Sequence, residues 1–124
     1  MLSFQTSIRS GNPPGAGRTL LTFDAVLGTL LQLDRMFIEP DGSFVWAGMA
    51  SDGQSWQVDG NLIDRGDCLA YVELKGRCPV LQFDQILAAL GWPDEPLAFE
   101  LTRRGTVVNE AEFRRLAASQ AGAV

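Results

Sequence analysis

The chain has 124 residues, 46% of them apolar, with 15 Asp and Glu against 10 Lys and Arg and no histidine. That apolar content suffices for one buried core and excludes a disordered chain, while no apolar run approaches the roughly 18 residues of a membrane span. The missing histidine excludes Ser-His-Asp and Cys-His catalysis and the usual zinc sites, and a net charge of −5 argues against general phosphate binding and for a protein partner or a basic ligand.

Residues 1–18 read as an arm. L-S-F-Q-T-S-I alternates apolar and polar like a short strand, and S-G-N-P-P-G-A-G reads as a flexible linker. The segment is expected to be loose or swapped onto a neighbour, ahead of a single domain over 19–120 and a tail over 121–124. The opening MLSFQTSIRSGNPPGAGR has no continuous apolar stretch behind a basic start, so no secretory signal is expected and the cytoplasm is the expected location.

Thr22–Leu33 carries an apolar stripe of Val26, Leu27, Leu30 and Leu31, which predicts a helix capped by Thr22 or Asp24. Arg35–Glu39 predicts a strand, Pro40-Asp41-Gly42 a turn, and Ser43–Met49 a second strand. That second strand is apolar on both sides: Phe44 and Trp46 face one way, Val45, Ala47 and Met49 the other. One side is expected to meet helices. The other is a dimer or ligand surface, or else lies under the N-terminal arm, so Phe44, Val45, Trp46 and Met49 are candidate interface residues.

Ser55–Leu62 and Cys68–Lys75 predict the third and fourth strands. Cys68 and Cys78 bracket the fourth, about 30 Å apart at strand rise and far beyond bridging distance. Asp84–Leu90 predicts a second helix stopped by Gly91, with Pro93 beyond. Leu97–Thr102 and Thr106–Val108 predict a hairpin, and Asn109-Glu110-Ala111-Glu112 opens a last helix with a capping-box pattern. T-F-D-A-V-L-G-T-L (22–30) echoes Q-F-D-Q-I-L-A-A-L (82–90), which reads as two amphipathic helices of like apolar spacing or else as a duplicated helix-hairpin unit. The expected class is α+β: an antiparallel β-meander with helices packed on one face, in the order α-ββββ-α-ββ-α.

Alternation in the third strand sets Trp56, Val58, Gly60 and Leu62 against Gln57, Asp59 and Asn61. In the fourth it sets Ala70, Val72 and Leu74 against Leu69, Tyr71, Glu73 and Lys75. A shared core face needs Val58 and Val72 on one side. A three-residue loop, Arg65-Gly66-Asp67, meets that need and places Asp59 opposite Glu73 and Gln57 opposite Lys75; a five-residue loop shifts the pairs but keeps the faces. Two carboxylates facing each other are unfavourable unless a lysine or a divalent cation lies beside them.

The run W-Q-V-D-G-N-L-I-D-R-G-D-C-L-A-Y-V-E-L-K-G (56–76) resembles the core of the PD-(D/E)xK nuclease superfamily. Asp59 matches the family's aspartate, and Glu73 and Lys75 match its (D/E)-x-K. The resemblance implies that Asp59 and Glu73 hold Mg²⁺ and that Lys75 is catalytic, orienting the nucleophile or neutralising charge. Val58 stands where the family has proline, and only Asp24 is available as the acid that many members carry on the first helix.

Other features have structural readings. Arg65-Gly66-Asp67 is a turn and Trp92 a plug at a helix end; the cluster Arg103, Arg104, Arg114 and Arg115 reads as a phosphate contact, or Arg114 and Arg115 suit the macrodipole at a helix C-terminus. Two functions from different classes follow. The first is a small acidic cytoplasmic interaction domain without catalysis or cofactor, dimeric, meeting a protein partner or itself and no membrane. The alternative is a Mg²⁺-dependent phosphodiesterase using Asp59, Glu73 and Lys75.

Overall fold

The structure, a computed structural model, describes residues 1–12, 21–66 and 68–119. In chain order the elements are β1 (Leu2–Ser10), α1 (Phe23–Leu30), β2 (Met36–Ile38), β3 (Ser43–Met49), β4 (Ser55–Arg65), β5 (Cys68–Cys78), α2 (Val80–Ala89), β6 (Leu97–Leu101), β7 (Val107–Asn109) and α3 (Glu110–Ser119). All strand pairs are antiparallel, in one seven-stranded sheet of order β2-β3-β4-β5-β1-β6-β7. The fold is therefore α+β, with the expected meander in β2–β5 and one strand more than expected, ahead of the first helix.

That extra strand corrects the reading of the N-terminal segment as an arm. β1 sits inside the sheet, between β5 and β6. Its alternation is the reason: Leu2, Phe4 and Ile8 point into the core and are buried. Thr6 shares that face, and its hydroxyl donates to the Glu100 carbonyl at 2.8 Å, which satisfies a buried polar group. Most of the glycine- and proline-rich linker, Asp67 and the tail at 121–124 lie outside the described residues.

Local signals explain the helix ends. Thr22 caps α1, its hydroxyl accepting the Ala25 N–H at 3.2 Å. The Asn109 carboxamide oxygen accepts the Glu112 N–H at 2.9 Å at the start of α3. α2 ends where the Gly91 N–H meets the Ala88 carbonyl and the Trp92 N–H meets that of Leu87, with Gly91 at φ 101°. That left-handed position is one glycine adopts without steric cost. α2 starts four residues before the expected Asp84, because its first turn exposes Val80 and Leu81 and so breaks the amphipathic pattern.

The helices cover one sheet face. Val26 and Leu30 of α1, Phe83, Ile86 and Leu87 of α2, and Phe113 and Ala117 of α3 join Phe4, Val58, Leu62, Val72, Leu74 and Phe99 in one core. Phe99 and Phe113 stack at 4.6 Å, and Phe83 lies 5.2 Å from Phe4 and 5.9 Å from Phe113. Each fully buried aromatic of this kind contributes about 2–3 kcal/mol by area alone. Trp46 meets Trp56 edge-on at 5.2 Å and donates its indole N–H to the Asp34 carbonyl at 2.8 Å.

The β4–β5 register differs from the expected one. Arg65 pairs with Cys68, so only two residues separate the paired ends, and the register shifts at Ile63/Asp64. Alone, a two-residue connection would put Val58 and Val72 on opposite faces. A bulge at Ala70 adds the residue that restores parity. Leu69 consequently turns into the core, not onto the outer face, and Asp59 lies opposite Lys75, not Glu73.

Candidate functional site

The face away from the helices bears the polar side chains that alternate with the core. Three rows cross it. One runs Ser3–Arg77–Gln57–Ala47, the next Gln5–Lys75–Asp59–Val45–Phe37, and the third Ser7–Glu73–Asn61–Ser43.

The carboxylates and lysine named from the sequence all lie on this face. Asp59 sits between Lys75 and Val45, with its Oδ1 accepting from Gln57 Nε2 at 2.9 Å. Glu73 sits between Ser7 and Asn61. Asp59 and Glu73 are thus diagonal neighbours, roughly 7 Å apart at Cβ. With Lys75 they line a shallow cleft of about 270 Å³, together with Gln5, Asn61 and Thr102. The lysine directly opposite Asp59 removes the like-charge conflict of the expected register. Among the described residues no three Asp, Glu, Cys or His side chains gather to hold a metal. Asp24 lies on α1, in the helix layer across the sheet from this cleft.

The four interface residues divide. Phe44 and Trp46 are buried in the chain's own core at 3% and 4% exposure, whereas Val45 and Met49 are 39% and 67% exposed on the outer face. The reason is alternation: the helices claim the face that Phe44 shares with Val58 and Trp56. The exposed pair has a neighbour that the sequence pattern did not single out, Phe37 on edge strand β2, 67% exposed and paired with Val45.

A larger groove of about 630 Å³ opens beside these residues. Arg35, Lys75, Arg77 and Arg103 line it, over a floor that includes Ala47 and Gln57, and no carboxylate lines it. Arg77 donates through Nη2 to the Ser55 carbonyl at 3.1 Å, which holds it across the start of β4. Gly76 on the floor is at φ 138°, and a Cβ there would lie 2.1 Å from the Gln57 carbonyl oxygen, so the groove depends on the bare glycine. Among the described residues the ion pairs join Arg9 to Glu100, Arg114 to Asp84 and Glu110, and Arg115 to Glu112. The four groove cations belong to none of them.

Arg114 has a structural place instead. Its guanidinium lies 5.2 Å from the Phe83 ring centre and 5.0 Å from that of Trp92, and 2.8 Å from Asp84. Arg115 pairs with Glu112 within α3, which holds the Glu112 carboxyl below its usual range. Cys68 and Cys78 are free thiols at the two ends of β5, and burial pushes the Cys78 thiol up to about 12. A thiol so raised is protonated at neutral pH and is no nucleophile.

No protein-family model, curated protein or solved structure matches this chain. No helix among the described residues is long and apolar enough to cross a membrane.

Proposed function

We propose that the domain is a non-catalytic binding module whose bare sheet face docks a protein partner. One observation carries this reading: among the described residues three helices cover one face of the sheet, and the other keeps Phe37, Val45 and Met49 exposed beside four cations that join none of the ion pairs there. Apolar side chains beside a groove lined by cations favour a complementary surface over water. A second copy of the chain is one such partner. Two free thiols suit a reducing compartment such as the cytoplasm. The test is a benzophenone amino acid placed at Val45, or at Leu81 on the helix side, in cells that make the protein. The expected result is a discrete adduct from position 45, absent from 81 and lost with Met49→Asp; an adduct at twice the chain mass identifies self-association. Equal adducts from both positions, or none from 45, would overturn the reading.

A second reading is favoured by the cleft that Asp59, Glu73 and Lys75 share. In it, the two carboxylates bind Mg²⁺ and the lysine stabilises phosphate charge. Calorimetric titration with Mn²⁺, with Asp59→Ala as control, decides it: the absence of binding heat ends the phosphodiesterase reading.

A further inference from the structure

We infer that the cationic groove takes an acidic peptide segment in extended form. This rests on the docking reading above and names the chemistry of its partner. The chain carries 15 acidic against 10 basic residues, yet four of the basic ones converge on one groove that no carboxylate lines. They come from three separate places: Arg35 just before β2, Lys75 and Arg77 on β5 either side of Gly76, and Arg103 in the turn between β6 and β7. Strand alternation sets Lys75 and Arg77 on one face, and the strand order brings Arg35 and Arg103 to them. Guanidinium groups spaced along a groove match carboxylates, which they bind in pairs of hydrogen bonds.

The dimensions fit a short peptide. From β3 through β4 and β5 to β1 the groove crosses three interstrand spacings, about 14 Å, which an extended chain covers in roughly four residues. Ala47 and Met49 give its β3 end an apolar floor, so acidic residues alternating with apolar ones suit it better than a run of charge. A nucleic acid strand suits it less. Trp56 and Phe4, the aromatics that line the groove, bury their rings in the core and offer no platform there for base stacking. Asp59 and Glu73 lie further along the same face and repel a long polyanion, as does the net charge of −5.

Fluorescence anisotropy with a labelled Glu-Leu-Glu-Leu-Glu-Leu peptide tests the inference on the full chain. Saturable binding is expected, weakened about threefold to tenfold by Lys75→Gln with Arg77→Gln, two exposed charge contacts. Arg104→Gln, in the same turn as Arg103 but outside the groove, leaves it unchanged. The Glu-to-Gln version of the peptide is expected to lose binding. Circular dichroism of each variant confirms that these exposed substitutions leave the fold intact. Three results would overturn the inference: no saturable binding at millimolar peptide, equal binding of the Gln peptide, or tighter binding of a labelled oligothymidylate. If the peptide fails while the position-45 adduct persists, the docking reading stands and only the acidic partner falls. If the peptide binds while that adduct is absent, the groove chemistry stands and the docking reading falls.

Discussion

Cys78 couples the core to pH. Its thiol is fully buried at the end of β5, and desolvation raises it from 9.0 to about 12. Below pH 9 the thiol is protonated in both the folded and the unfolded chain, so this group adds no pH dependence. Above pH 9 the unfolded chain releases the proton and the folded chain keeps it, so stability falls by about 1.4 kcal/mol per pH unit until the folded value is reached. Urea midpoints between pH 9 and 10 should therefore drop more steeply for the natural chain than for Cys78→Ala. Arg114 works by packing as much as by charge. It joins α3 to α2 through Asp84 while lying between Phe83 and Trp92. Arg114→Ala is expected to cost about 1–2 kcal/mol in denaturant melts, and Arg114→Lys to recover less than half, because an ammonium cannot lie flat between two rings. That role was hidden in the sequence, where Arg114 reads as one of two adjacent basic residues on a helix. The ring partners come from a different helix and the turn after it.

At the scale of elements, β1 carries the largest consequence. It bonds to β5 along one edge and to β6 along the other, and it supplies Leu2, Phe4 and Ile8 to the core. Each such side chain is worth about 2–5 kcal/mol on truncation to alanine, so losing all three exceeds the usual net stability of a domain of this size. A chain lacking residues 1–11 should give no cooperative thermal transition by circular dichroism, where a loose arm would have left the transition intact. Much of this level was legible. The alternation of Trp56, Val58 and Leu62 identified the core face of β4, Thr22 and Asn109 announced helix starts, and Gly91 announced a stop. The alternation of β1 was legible too, but its docking place was not, since an alternating strand does not say which edges it joins. The β4–β5 register was misread for a related reason. The bulge at Ala70 leaves no mark in composition, and together with the two-residue connection it moved Asp59 from Glu73 to Lys75.

For the whole molecule, the two sides of the sheet predict two classes of substitution. Phe44→Ala and Trp46→Ala remove core contacts and should each cost about 3–5 kcal/mol. Val45→Thr and Met49→Gln, on alternate residues of the same strand, should each stay within about 0.5 kcal/mol in the same denaturant series. Of the candidate site, the sequence carried the cleft residues Asp59, Glu73 and Lys75, because neighbouring strands keep near residues near. It did not carry the groove, whose four cations lie on segments far apart in the chain. The place of β1 also sets a clock. Thr6 and its hydrogen-bond acceptor Glu100 are 94 residues apart. At roughly 5–20 residues per second, a ribosome takes about 5–20 s to travel from one to the other. Throughout that interval Leu2, Phe4 and Ile8 have only a partial sheet to join, and the gap between β5 and β6 cannot yet exist. Leu2, Phe4 and Ile8 therefore complete their burial only once β6, ending at Leu101, has been made.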